Sequence, residues 1–357
     1  MQLPFLRRTG PIVGLDIGSS AVKVVELNVS SKGFEVLGMG TAPVPPEAIV
    51  QGAFLNSSAI IDAIQEATSN AGIKSKDVAV AVSGHSVIVK KISLPAMTAE
   101  ELEESIRWEA EQYIPFDVNE VNLDFQILSG DNADGQMDVL LVAAKKDLVD
   151  DYVQVIGAAG LHPCVVDVAA FAVENAFEAN YALEPGEVVA LVNIGAQVVN
   201  INVVQAGRPA FTRDISTGGN QYTEEIQKAL SIGYGEAERI KLGNASPEES
   251  QEVVPQEVDQ AMRAVTDQVL GEITRSLDFF TATAAESRIH RVMVSGGSAR
   301  VPDLAKAFQD RANVPVQILN PFERMLPSRK FEEAYLREMA PIMGVGVGLG
   351  LRRADER

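Results

Sequence analysis

The sequence predicts an α/β protein built from two related domains, and three observations carry that expectation. The first is a strand-turn-strand unit from Ile12 to Leu27, apolar at Val13, Leu15 and Ile17, broken at Gly18-Ser19-Ser20 and resumed at Val22-Lys23-Val24-Val25. The second is its echo half a chain later, where Asn193 stands in the place of Asp16, Gly195 in that of Gly18, and Asn200 in that of Lys23. The third is size: 357 residues, 46% of them hydrophobic, exceed the roughly 250–300 residues at which a single core stops growing. Two such units in one chain imply two domains that face each other across a cleft, each offering one turn to the same ligand.

The first turn has a chemistry of its own. A carboxylate has no packing reason to interrupt a buried strand, yet Asp16 sits at the mouth of the turn. Backbone N–H groups of Gly18, Ser19 and Ser20 suit phosphate oxygens, and the acid suits a hydrated Mg²⁺. On this stretch alone an ordinary hairpin with an exposed acid remains an equal reading.

Composition narrows the function classes. With 30 basic against 49 acidic residues, a formal net charge of −19, non-specific binding to nucleic acid or to an anionic bilayer is disfavoured. The single Cys164 admits no intramolecular disulfide, and His85, His162 and His290 lack a second metal ligand at motif spacing. Met1–Arg8 has no apolar signal core and no run of about 18 apolar residues follows anywhere. The expectation is a cytoplasmic protein that reaches a membrane only through partners.

Taken in order, a strand at Phe34–Thr41 leads to a helix capped by Ser57 or Ser58, with Ile60, Ile61, Ile64 and Ala67 on one face, and then to a buried-type strand, Val78–Val82. The next stretch holds a strand at Val87–Leu94 and a helix opened by a Thr98–Glu101 capping box. That helix carries Leu102, Ile106, Ala110 and Tyr113 inward, mostly glutamates outward, and the sole Trp108. Strands at Val121–Leu128 and Asp138–Ala144, joined by a loop at Asp131–Gly135, and a helix from Lys146 to Gly160 complete an inserted unit.

Beyond the strand Cys164–Val168, the helix Ala169–Ala179 and the echo hairpin, Gly218-Gly219 precedes a helix bearing Tyr222, Ile226 and Leu230. A polar loop covers Asn244–Pro255. From Glu257 to about Glu286 the apolar stripe Val258, Met262, Val265, Val269, Ile273, Leu277 and Phe280 predicts the longest helix. Ser295-Gly296-Gly297-Ser298 then forms a turn between a strand and a helix, where backbone approaches a ligand closely. Pro341–Gly350, with glycine at 344, 346, 348 and 350, predicts a helix with a small-residue packing face.

The ordered set of hairpin, echo, Gly-Gly before a helix and Ser-Gly-Gly-Ser turn resembles the actin, Hsp70 and sugar-kinase ATPase superfamily. By that resemblance Asp16, Gly18, Ser19, Ser20 and Lys23 would hold the β- and γ-phosphates and Mg²⁺, with Asp16 reaching the metal through water. Asn193, Gly195, Ala196 and Gln197 would close from the other side, Gly218, Gly219, Glu238 and Lys241 would frame ribose and base, and Gly296, Gly297 and Ser298 the adenosine. Asp167 is the candidate for a water-facing catalytic position. The inserted unit resembles the small subdomain of the cell-division protein FtsA. Ser105-Ile-Arg-Trp108-Glu-Ala-Glu-Gln-Tyr-Ile-Pro115-Phe116, Leu123–Gln126 and Asp167–Ala172 are similar to the PilM family, actin-like proteins of bacterial type IV pilus machines, across essentially the whole chain.

That likeness implies an ATP-binding scaffold that grips the cytoplasmic N-terminal tail of the inner-membrane protein PilN and links it to the cytoplasmic motor. It also implies a layout: a first domain over 1–77, an insertion over 78–160, a return over 161–186, a second domain over 187–340 with a helical subdomain at 220–286, and a C-terminal helix at 341–357 back on the first. One departure matters. Asn193 stands where vigorous ATPases of the superfamily commonly carry an acid, and an amide supplies neither charge nor a general base. Hydrolysis is therefore expected to be slow or absent. A filament former like FtsA and a small-molecule kinase of the same fold are the rival readings.

Overall fold

The computed structural model describes residues 12–129, 135–243, 256–284, 288–326, 328 and 330–353. The expected Asn244–Pro255 loop, most of the Asp131–Gly135 loop, the Met1–Arg8 end and the last residues of the helix drawn to Glu286 lie outside them.

In chain order the strands begin β1 (Val13–Ile17), β2 (Ala21–Ser30), β3 (Gly33–Pro43), β4 (Ile49–Val50) and β5 (Ala53–Phe54), followed by helix α1 (Ser57–Ala71). Then come β6 (Asp77–Val82), β7 (Val87–Pro95), α2 (Ala99–Ala110), β8 (Val121–Ser129), β9 (Gln136–Lys145) and α3 (Lys146–Ala158). After β10 (His162–Val168) and α4 (Ala169–Asn180) follow β11 (Val188–Ile194), β12 (Val199–Gln205), β13 (Arg208–Ile215), α5 (Asn220–Leu230) and α6 (Tyr234–Lys241). The series ends with α7 (Gln256–Thr283), β14 (Arg291–Ser295), α8 (Leu304–Ala312), β15 (Val316–Ile318) and α9 (Glu333–Gly350).

These elements fall into two compact units. One comprises Met1–Val82, Val149–Ala182 and Asn320–Arg357, the other Ser83–Leu148 and Leu183–Leu319. The first contains a five-stranded sheet of order β10-β6-β1-β2-β3, antiparallel across β1-β2-β3 and parallel across β10-β6-β1. The second contains β15-β14-β11-β12-β13 with the same succession of parallel and antiparallel pairings. The half-chain echo is thus a repeat of topology, and the fold is that of the actin-like class.

In the first unit α9 lies on β1 and β2 and against α4. Its glycines let backbone meet backbone: a Cβ on Gly14 would stand 2.0 Å from the Gly346 carbonyl oxygen, and one on Gly348 would stand 1.6 Å from that of Ala172. Val25, Leu27, Val36, Met343 and Val347 are buried at this contact, each such side chain stabilising by roughly 1.5–3 kcal/mol. The small-residue helix begins two turns earlier than expected, at Glu333, because Pro341 is accommodated inside it. Helix α1 is capped by Asn56, whose side chain accepts the Ala59 N–H, and not by Ser57 or Ser58.

In the second unit the sheet packs on α7 through Val192, Ile201, Val203, Val265, Val269, Ile273 and Phe280. The same unit holds a three-stranded antiparallel sheet, β7-β9-β8, covered by α2. Leu102 and Ile106 of α2 join Ile92, Val139 and Leu141 in its core, and the Thr98–Glu101 capping box forms as expected. Boundaries move at both ends of the insertion and at both ends of the second domain. Strand β6 is paired to β1 and β10, so the insertion starts after Val82 and not at 78; it ends at Leu148 and not at 160, most of α3 belonging with the first unit. The second domain resumes at Leu183 and not at 187, and residues from Asn320 onward belong with the first unit, not with the second domain to 340.

Candidate functional site

Two hairpins of one design, one in each unit, carry the candidate residues. In the first unit Asp16 and Lys23 are cross-strand partners, so their side chains share a face, and Lys23 Nζ donates to Asp16 Oδ2 at 3.0 Å. The turn closes through the Gly18 N–H to the Ala21 carbonyl at 3.1 Å. Both charged side chains are mostly buried, at 16% and 17% exposure, a setting in which the attraction is much stronger than at an exposed surface. Among the described residues no hydrogen bond uses Asp16 Oδ1 or the hydroxyls of Ser19 and Ser20.

That donor set fits Mg²⁺ of the hydrated kind, which needs one carboxylate oxygen and takes its other ligands from water and phosphate. It does not form a protein cage: among the described residues no group of three or more His, Cys, Asp or Glu is placed to hold an ion. Behind the acid lies Tyr152 of α3, buried and packed on Phe54 with ring centroids 4.6 Å apart. Burial first, and then the Asp16 charge, push its phenol far above the ordinary range, so it stays neutral.

In the second unit Asn193 and Asn200 are cross-strand partners in the same register, and Gly195 N–H donates to the Val198 carbonyl at 3.0 Å. The charges are replaced by an amide pair: Asn193 Nδ2 donates to Asn200 Oδ1 at 2.9 Å. Around this turn the unit gathers most of the expected residues. Gly219 N–H donates to Gly195 O at 2.9 Å, Asn220 N–H to Ala196 O at 2.8 Å, and Ser298 Oγ to Gly195 O at 3.1 Å. A Cβ on Gly218 would stand 2.6 Å from Gly195 O, and one on Gly219 would stand 2.4 Å from Ser298 Oγ. At Gly218 the near atoms are backbone, so no other residue type fits there.

Lys241 is buried against Gly219, its Nζ donating to the Gly219 carbonyl at 3.4 Å, to Thr223 Oγ1 at 3.1 Å and to Glu238. Burial draws its ammonium below the usual lysine range, while the Glu238 charge acts the other way. Gly296, at φ 94°, brings its backbone against Ile194, where a Cβ would stand 2.3 Å from the carbonyl oxygen. The segment after Gly296 departs from expectation: a 3₁₀ turn at Gly297–Arg300 comes next, and α8 starts only at Leu304, so the glycine pair does not abut an α-helix N-terminus.

Asp167 does not face water. Its side chain is 8% exposed and lies 3.5 Å from the Arg352 guanidinium, and one oxygen accepts the N–H of Val168. A carboxylate held by a cation is a poor general base.

Sequence reasoning missed the residue that completes the second half. Asp214 of β13 is Asn200's cross-strand partner and accepts its Nδ2 at 2.8 Å. It also accepts the N–H of Gly84 at 2.5 Å. Burial pushes its carboxyl above the ordinary range, against the two donors. The available signal was the alternation of Phe211, Arg213 and Ile215 around it, with an acid on the face that Asn200 shares.

Comparisons with known proteins cover this whole arrangement. The structure of a PilM-PilN type IV pilus biogenesis complex matches at TM-score 0.84 and 30% identity, over 98% of this chain and 100% of that one. The ethanolamine utilization protein EutJ from Carboxydothermus hydrogenoformans, at TM-score 0.57 and 15% identity over 96% of this chain and 89% of its own, shares the fold. The cell division protein FtsA of Bacillus subtilis is 23% identical over 87% of this chain and 78% of its own length. FtsA of Pseudomonas aeruginosa is 25% identical over 97% and 90%. The family model described as type IV pilus assembly protein PilM matches residues 14–354, and the chain therefore belongs to the PilM family of type IV pilus assembly proteins.

Proposed function

We propose that this chain is a nucleotide-dependent scaffold of the type IV pilus machine, cytoplasmic and held at the inner membrane by its partners. In this reading Mg-ATP occupies the two hairpin turns, with Asp16 and Lys23 at the β- and γ-phosphates and Gly218, Gly219, Glu238 and Lys241 at ribose and base. The partner is the short cytoplasmic N-terminal tail of PilN, gripped in a cleft involving the inserted subdomain, and the scaffold joins it to the motor ATPases. The observation that carries the reading is the match to a PilM–PilN complex over 98% of this chain and 100% of that one, insertion included.

The chemistry of the site favours holding over turnover. Mg²⁺ would neutralise phosphate charge at Asp16, while the Asn193 amide offers hydrogen bonds and no proton acceptor, and Asp167 is engaged with Arg352. Titration calorimetry with Mg-ATP, with and without a synthetic PilN tail peptide, tests the reading. Saturable binding of both, with tail affinity dependent on nucleotide, supports it; tail affinity equal for apo, ADP-bound and ATP-bound protein overturns the coupling.

A further inference from the structure

The second hairpin does not end at its own side-chain pair. Ser295 Oγ donates to Asn193 Oδ1 at 3.2 Å, Asn193 Nδ2 to Asn200 Oδ1 at 2.9 Å, and Asn200 Nδ2 to Asp214 Oδ1 at 2.8 Å. The carboxylate's other oxygen takes the N–H of Gly84 at 2.5 Å. Gly84, at φ 90°, is where the chain leaves β6 and turns into β7, its carbonyl accepting the Val87 N–H. It is the root of the inserted sheet, and β13, which carries Asp214, packs against β7.

We propose that Asp214 is the positioning residue that ties the Asn193 turn to the root of the inserted sheet, so that what orders one orders the other. The reason is the direction of the bonds. An ionised carboxylate only accepts, so Asn200 must turn its NH₂ toward Asp214 and its oxygen toward Asn193. Asn193 must then donate to Asn200 and offer its oxygen on the opposite side, at Ser295. One carboxylate thus fixes the polarity of the buried Asn200 amide and of the half-buried Asn193 amide at the turn. Asn200 and Ser295 are 4% and 1% exposed, so water offers little competition for these bonds. The inference rests on the nucleotide reading only for the identity of what fills the turn.

Amide exchange of Gly84 reports on the far end of the line, and the full-length protein serves without ligand. Asn193→Leu is expected to speed Gly84 exchange about fivefold, and in an Asp214→Asn background the same substitution is expected to change it by less than about twofold. Asp214→Asn itself should keep or raise the unfolding midpoint, because the amide can accept from Gly84 and donate to a turned Asn200 without burying a charge. Gly84 exchange indifferent to Asn193→Leu overturns the proposal. So does an Asp214→Asn protein that melts several degrees lower with exchange raised throughout, the mark of a plain structural role. Added Mg-ATP should slow Gly84 exchange in the parent and leave Asp214→Asn unchanged; if calorimetry shows that Mg-ATP does not bind, the nucleotide reading fails while the ligand-free arm still decides the role of Asp214.

Discussion

The two hairpins share a register, a turn hydrogen bond and a place in their sheets, yet they differ at every position that carries chemistry. β1-β2 pairs Asp16 with Lys23 and β11-β12 pairs Asn193 with Asn200. The first is a closed ion pair whose second carboxylate oxygen takes no hydrogen bond among the described residues, suited to a metal and phosphate. The second is neutral, and its bonds run on to Asp214 and Gly84. One scaffold used twice has been given a charged half, whose chemistry suits an anionic ligand and its metal, and an amide half whose orientation is set from behind.

Beneath the hairpins the difference is steric. Gly14 in β1 corresponds to Leu191 in β11, which is 1% exposed. The largest expected effect lies here: Gly14→Leu should cost at least about 4 kcal/mol, since its first side-chain atom would lie 2.0 Å from helix backbone that cannot step aside. Leu191→Ala should cost roughly 2–5 kcal/mol by leaving a cavity. Urea unfolding measures both, and a Gly14→Leu protein of near-parental stability would show that α9 does not lie on β1.

Next come the charges. Asp16→Asn is expected to weaken Mg-ATP binding about 100-fold, close to 2.7 kcal/mol, and Lys23→Met about tenfold. Asn193→Leu should weaken it no more than about tenfold, because it removes a neutral hydrogen bond. Calorimetric affinities in that order support the division between the halves; equal losses at Asp16 and Asn193 would erase it.

The repeat was legible in the sequence because Gly14–Lys23 and Leu191–Asn200 keep turn and acid-or-amide at matching positions, and because strand alternation and the α7 stripe obey simple periods. The capping box of α2 was legible for the same local reason. What stayed hidden is what depends on distant partners. Asp167 looks like a free acid until Arg352, 185 positions later in the chain, is brought beside it. The first turns of α9 were obscured by Pro341, which local propensity reads as a start. Strand β6 looked like part of the insertion because only its pairing with β1 and β10 gives it an owner. For Asp214 strand alternation marks the face it shares with Asn200, but no motif predicts that this face buries an acid against an amide.

A third test exchanges chemistry between the hairpins. Asn193→Asp gives the second turn the first turn's acid, but Asn200 now has acceptors on both sides and only one NH₂ end. The cost is expected to be about 1–3 kcal/mol. Adding Asp214→Asn reverses the whole line: Asn200 donates to the new acid, and the amide at 214 donates to Asn200 while accepting from Gly84. Denaturant unfolding of the four proteins should therefore give a favourable coupling of about 1–3 kcal/mol, and strict additivity would mean that the two sites do not communicate.

The smallest expected effect is a pH dependence confined to one half. Burial raises the folded-state pKa of Asp214 above its unfolded value near 3.8. Between those values the folded chain keeps a proton that the unfolded chain has lost, so the contribution of this group is fully present below the unfolded pKa and declines as pH rises through the folded one. Stability measured from about pH 4 upward should therefore fall in the parent relative to Asp214→Asn and then run level with it once the carboxyl is ionised in both states. A parent curve that rises relative to Asp214→Asn over the same interval would mean that the donors on Asp214 outweigh its burial, making the carboxylate a stabilising anchor where its sequestration now argues for a cost borne to fix the polarity of Asn200 and Asn193.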